Sequence, residues 1–111
     1  MNVEQKEVVL LKCYFSDLKE SKLRPAVVVS NNHLNSLSED CLMIPLTTVL
    51  KNVPYSVEIS QTDLEFGEMI KVSRARTDKI FAVDKNLIEI KLGKVSKKTF
   101  ELIKLNILGM F

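Results

Sequence analysis

The sequence predicts a mainly β protein: a small, mostly antiparallel barrel closed by a C-terminal helix. Three observations carry that expectation. Short runs rich in Val, Ile, Leu and aromatics alternate with polar turns over most of the chain. No internal repeat and no Gly/Ser linker divides it. The stretch from Lys97 to Leu108 contains no Gly or Pro, and Ser96 precedes it as an N-cap. The 111 residues therefore form a single domain, 1–111.

The elements follow in order. Glu7 to Phe15 is dense in Val, Leu and aromatics and reads as a strand, and Ser16 to Lys22 as a polar loop. Pro25 to Ser30 is a second strand. Its run Val27-Val28-Val29 lacks alternation, so both faces should be covered. Asn31-Asn32-His33 should turn the chain. Cys41 to Thr47 is a third strand, with Pro45 implying a bulge or an edge. Lys51 to Pro54 reads as a turn, and Tyr55 to Ser60 alternates as a half-buried strand should. Further strands are expected at Glu68–Ser73 after a loop broken by Gly67, at Lys79–Val83, and at Leu87–Leu92, ending at Gly93. In the final helix, at 100° per residue, Ile103, Ile107 and Leu108 share the side of Phe100, while Leu102 and Leu105 oppose it. That second apolar side either meets a partner or lies along the flank of the barrel.

Composition narrows the function classes. Apolar residues make up 46% of the chain, which argues against intrinsic disorder. No apolar run approaches the ~18–20 residues of a membrane span, and the start, Met1 to Glu7, is polar and lacks a secretory segment. A cytoplasmic protein without membrane contact is the expectation. Cys13 and Cys41, each in an apolar run, read as small buried hydrophobes. With His33 they cannot supply the roughly four ligands of a zinc site, so no metal or other cofactor is expected. The net charge of +2 is uneven: residues 1–60 hold six bases and seven acids, residues 61–111 ten and seven. That is a mild lean toward polyanions.

There is no GxGxxG, P-loop, CxxC or HExxH pattern, and one histidine excludes a two-histidine ribonuclease. His33 itself reads as a solvated loop residue. The informative stretches are Lys22-Leu23-Arg24-Pro25-Ala26-Val27, Ile44-Pro45-Leu46-Thr47-Thr48 and Ser73-Arg74-Ala75-Arg76-Thr77-Asp78. In a compact barrel these three strand ends could bring Arg, Thr and Arg/Asp to one rim. Each has a plainer structural reading. Arg24 could pair with Asp17 or Glu20, Thr47 could bond nearby backbone, and Arg76 and Asp78 could pair with each other. Tyr14, Phe15 and Phe81 could stack bases or simply fill the core.

These stretches, with Tyr14-Phe15-Ser16-Asp17, Asp78-Lys79-Ile80, Val83-Asp84-Lys85 and Leu92-Gly93-Lys94-Val95-Ser96, occur in the order of a known family. From about Glu7 to Leu108 the chain resembles the PemK/MazF toxin endoribonucleases of bacterial toxin–antitoxin systems. The resemblance implies an SH3-like or CcdB-type barrel, usually a homodimer. It also implies metal-independent, sequence-selective cleavage of single-stranded RNA to 2′,3′-cyclic phosphate and 5′-hydroxyl ends, inhibited by a cognate antitoxin. Any DNA contact would come only through the antitoxin complex. The family's catalytic arginine and threonine fall on Arg24 and Thr47, and its later arginine and aspartate on Arg76 and Asp78. Thr48 stands where members often carry Ser or Thr. Thr48, Arg76 and Asp78 are thereby expected to bind substrate, with Asp78 also a candidate proton acceptor. The departures, Lys6-Glu7 for a Gly-acid opening and Cys13-Tyr14-Phe15 where a proline between two aromatics is expected, fall in the first strand. A non-catalytic barrel, such as a gyrase-poison-like toxin or a nucleic-acid-binding regulator, is the alternative reading.

Overall fold

The computed structural model describes residues 2–14, 21–69 and 71–111. Its eight strands are β1 (Glu7–Tyr14), β2 (Ser21–Val28), β3 (Asp40–Thr47), β4 (Ser56–Ile59), β5 (Leu64–Gly67), β6 (Ser73–Arg76), β7 (Phe81–Asp84) and β8 (Ile88–Val95). Among the described residues two α-helices, α1 (Asn32–Leu37) and α2 (Lys97–Leu108), and short 3-10 turns at Gln61–Asp63 and Lys85–Leu87 complete the fold. All strand pairs are antiparallel in the order β4-β6-β3-β2-β1-β8-β5, with β7 also paired to β3. The sheet curls into a half-barrel.

Alternation sends apolar side chains to both faces of this sheet. On one side Val8, Val27, Ile44, Ile59 and Val95 pack with Phe100 and Ile103 of α2. On the other, Val9, Leu11, Val28, Met43 and Val83 form a second cluster. The expectation that the Val27–Val29 run is covered on both faces is met: Val27 and the partly buried Val29 join one cluster and Val28 the other. Each fully buried aliphatic side chain contributes about 1.5–3 kcal/mol, so both faces matter to stability.

Helix α2 spans the residues its sequence pattern predicts. The Ser96 hydroxyl accepts from the Thr99 amide at 3.2 Å, and the Thr99 hydroxyl donates to Asp63 Oδ1 at 3.0 Å. These bonds cap the helix and tie its first turn to the loop before β5. The second apolar side is exposed, Leu102 at 48% and Leu105 at 64%, and Leu108, expected beside Phe100, is exposed as well because the helix end runs past the sheet's core.

Several elements depart from expectation. The Asn-rich turn is the start of α1, because Asn31 caps the Leu34 amide at 2.8 Å and buried Asn35 donates to the Ser30 carbonyl at 3.0 Å. Strand β2 begins before Pro25, since residues 21–24 pair with β1. The strand expected at Glu68–Ser73 starts only at Ser73, and Leu64–Gly67 forms a strand instead of a loop. Strand β8 passes through Gly93, where an added Cβ would lie 2.4 Å from the Phe66 carbonyl oxygen. Pro45 lies in an interior strand rather than at an edge. It stands between Asp40–Met43, which pair with β7, and Leu46–Thr47, which pair with β6, at a point where neither partner needs its missing N–H. Phe15 and most of the expected polar loop, including Asp17 and Glu20 as partners for Arg24, lie outside the described residues.

Candidate functional site

Strand register places the polar residues. Leu11 faces Arg24 across β1 and β2, and Thr47 faces Arg74 across β3 and β6. Between β2 and β3, Ala26 faces Pro45. Continuing that register by two residues brings Arg24 level with Thr47. Paired residues project to the same face. By that continued register Arg24, Thr47 and Arg74 align on one face of three successive strands, at the end of the face whose interior holds the second apolar cluster, although the β2–β3 ladder itself ends at Ala26–Pro45. Arg24 is exposed there.

Beside this row a cleft of about 370 Å³ is lined by Pro45, Thr47, Val49, Lys51, Val53, Arg74, Arg76 and Lys79. It opens where β3 exchanges β7 for β6. Four of its lining residues are cationic. The 48–55 segment forms one wall and is anchored at Tyr55, which holds a left-handed φ of 57°. Such a backbone costs about 1–3 kcal/mol and persists only when its surroundings fix it. Here the Thr77 amide donates to the Tyr55 carbonyl at 3.0 Å, joined by the Thr77 hydroxyl, and the Tyr55 hydroxyl donates to the Gly109 carbonyl at 3.3 Å.

Individual side chains are held differently. The Thr47 hydroxyl oxygen accepts from the Val49 amide at 3.1 Å, which leaves its proton available for a ligand. Arg76 and Asp78 form a two-pronged pair, Nε to Oδ1 at 3.0 Å and Nη2 to Oδ2 at 2.8 Å. The hydrogen bonds from Arg76 hold the Asp78 carboxyl below the usual carboxylate range, and the same contact raises the Arg76 guanidinium. Asp78 is therefore better suited to fixing Arg76 than to accepting a proton.

Thr48 does not share the cleft. Its side lines a separate, largely apolar cavity with Val8, Leu10, Leu23, Leu46 and Met69. His33 is exposed on α1 and does not line the cleft. Cys41 is buried in the second cluster, where burial pushes its thiol up, and Cys13 is half-buried beside that cluster. Phe81 is partly exposed and pairs with Met43, not with the cleft. Among the described residues no three His, Cys, Asp or Glu side chains gather as metal ligands, and no helix is long and apolar enough to cross a membrane.

Sequence reasoning passed over Arg74, Lys51 and Lys79. The small–Arg alternation of Ser73-Arg74-Ala75-Arg76 was the available signal, since in a strand it sends both guanidinium groups to one face.

Fold and rim together define a small helix-closed half-barrel with a basic cleft at one end of its sheet. The model of the PemK-like, MazF-like toxins of type II toxin–antitoxin systems matches residues 4–111, and the chain belongs to that family. Toxins of the PemK/MazF family are endoribonucleases. No curated protein sequence matches the chain significantly. Solved structures share its fold at low identity. An endoribonuclease bound to its cognate antitoxin from a mycobacterial species superposes with a TM-score of 0.75 at 21% identity, covering 98% of this chain and 97% of that one. MazF in a MazE–MazF complex from Deinococcus radiodurans gives 0.80 at 16% identity, over 99% and 96%. The Mycobacterium tuberculosis toxin MazF-mt6 gives 0.70 at 12%, over 91% and 93%.

Proposed function

We propose that the chain cleaves single-stranded RNA without a metal ion, at the rim where Arg24 and Thr47 share one face. The substrate's own 2′-hydroxyl attacks the adjacent phosphorus and the 5′-oxygen leaves. The products are a 2′,3′-cyclic phosphate and a 5′-hydroxyl end. Negative charge grows on the non-bridging oxygens as the fifth bond forms, and the Arg24 guanidinium offers paired N–H donors to them. The Thr47 hydroxyl, its oxygen already fixed by the Val49 amide, donates to the phosphate or orients the attacking hydroxyl. Arg76, held by Asp78, presents its outer N–H groups to the substrate backbone. Thr48 would meet only a nucleotide that passes over the end of β3.

What supports this reading is the β2–β3 register, which when continued past Ala26–Pro45 aligns Arg24 with Thr47, and the basic cleft that Thr47 lines. In this reading an acidic antitoxin segment silences the toxin by covering the same cations. The chain works as a homodimer in the cytoplasm, with the exposed apolar residues of α2 available for protein contacts. The decisive experiment incubates the purified chain and Arg24→Ala with mixed-sequence RNA in EDTA. Wild type should cut, leaving cyclic phosphate ends, and the variant should be slower by about a hundredfold or more, roughly 3–4 kcal/mol of lost barrier stabilisation. No cutting by wild type, or equal cutting by both, would overturn it. Growth arrest with intact RNA and an inhibited topoisomerase would favour the non-catalytic alternative.

A further inference from the structure

We infer that Arg74, positioned by Ser56, is a second phosphate-binding guanidinium, which holds the RNA backbone on the side of Thr47 opposite Arg24. The inference rests on the reading of the rim as an RNA site and adds a residue to it. Arg74 is the direct cross-strand partner of Thr47. Such partners have Cβ atoms ~4.5–5.5 Å apart, so the two side chains address neighbouring points on one bound strand.

The guanidinium is already oriented. Its Nε donates to Ser56 Oγ at 3.0 Å and its Nη2 to the Ser56 carbonyl at 3.4 Å. Ser56 Oγ in turn donates to the Val53 carbonyl at 2.7 Å, so the chain of bonds ends on the loop that walls the cleft. These contacts occupy one edge of a planar group with five N–H donors and leave the rest for a ligand. The partners of Arg74 are neutral. Glu58 is its register neighbour on β4, yet among the described residues no carboxylate lies within 4.0 Å of Arg74. Arg76 contrasts with it: two residues along the same strand face, it is neutralised by Asp78 at 2.8 Å. Arg74 therefore keeps its full positive charge in a cleft that Lys51 and Lys79 also line. A preset, uncompensated guanidinium in a basic cleft matches the phosphodiester of a single strand.

The test compares wild type, Arg74→Ala, Arg74→Gln and Ser56→Ala, measuring cleavage kinetics, salt-dependent binding of a mixed-sequence oligoribonucleotide, and melting temperature. Arg74→Ala should weaken KM and binding roughly tenfold with kcat changed much less, because the contact is made before and during the reaction. The slope of log affinity against log salt should shrink by about 0.7, the share of one phosphate on a single strand. Ser56→Ala should keep that slope and show a smaller loss of affinity, as expected when a positioned charge becomes mobile. Arg74→Gln keeps a donor for Ser56 and loses the charge, so it decides the matter if Arg74→Ala does not fold. An unchanged salt slope in a folded Arg74 variant overturns the inference, as does a loss of activity that only follows a loss of melting temperature. If wild type binds the oligonucleotide with the expected slope difference but never cuts it, the phosphate anchor stands and the nuclease reading falls. If wild type cuts and the slope does not move, the reverse holds.

Discussion

Along β2 and β3, neighbouring residues go to opposite environments. Val27, Ile44 and Leu46 enter the cluster beneath α2, where packing excludes water. Arg24 and Thr47, on the other face, extend past the end of the second cluster onto an uncovered rim. The same strands thus carry both a sealed face and the proposed site, and the rim inherits its geometry from the packing behind it. Changes on the covered face should register as stability, and changes on the rim as rate or binding.

The largest stability effect is expected from Ile103→Ala, which leaves a hole where α2 meets the sheet. Urea unfolding should show a loss of about 2–5 kcal/mol, while the cleavage rate per folded molecule stays near wild type. Thr47→Val should do the opposite. Removing one hydroxyl costs on the order of 1–1.5 kcal/mol, roughly tenfold in rate, with little change in unfolding midpoint and recovery in Thr47→Ser. A Thr47→Val protein that loses stability and keeps its rate would erase the contrast between the faces. Ser96→Ala removes the cap of α2 and should cost about 1 kcal/mol in the same unfolding assay, again without a direct effect on cleavage.

The smallest effect concerns pH. Asp78 has a folded-state pKa depressed by Arg76, so its contribution to stability is present above the unfolded carboxylate value. It fades as pH falls through the lower folded-state value. Acid unfolding of Asp78→Asn should lack this component, and an NMR titration of the Asp78 carboxyl should report the depressed value directly. A carboxyl that titrates like a free aspartate would show that Arg76 is not held in solution.

What the sequence made legible follows from the range of the forces involved. Helix α2 depends on a local cap and an unbroken apolar period, so Ser96 to Leu108 could be read directly. Strand β6 could not. Ser73-Arg74-Ala75-Arg76 is weakly β-forming and exists because β3 and β4 pair with it on either side. The β5 strand is an exposed edge that lacks a strong apolar signal, and α1 is too short and too polar to announce itself. Arg24, Thr47, Arg76 and Asp78 came from family motifs, whose spacing is visible in one dimension. The row Arg24–Thr47–Arg74 is a property of register between strands distant in sequence, which no local pattern contains. Thr48 shows the converse limit: adjacent to Thr47 in the chain, it belongs to the other side of the sheet.

Pro45 ties these threads together. At that residue one long strand leaves one neighbour for another, and the seam between them is the cleft. A cleft built on a seam is bordered by loop rather than by core. If the cleft holds RNA as proposed, lengthening or re-sequencing the segment from Val49 to Val53 would reshape which bases fit while leaving the interior untouched, and new targets could arise over evolutionary time without disturbing the fold.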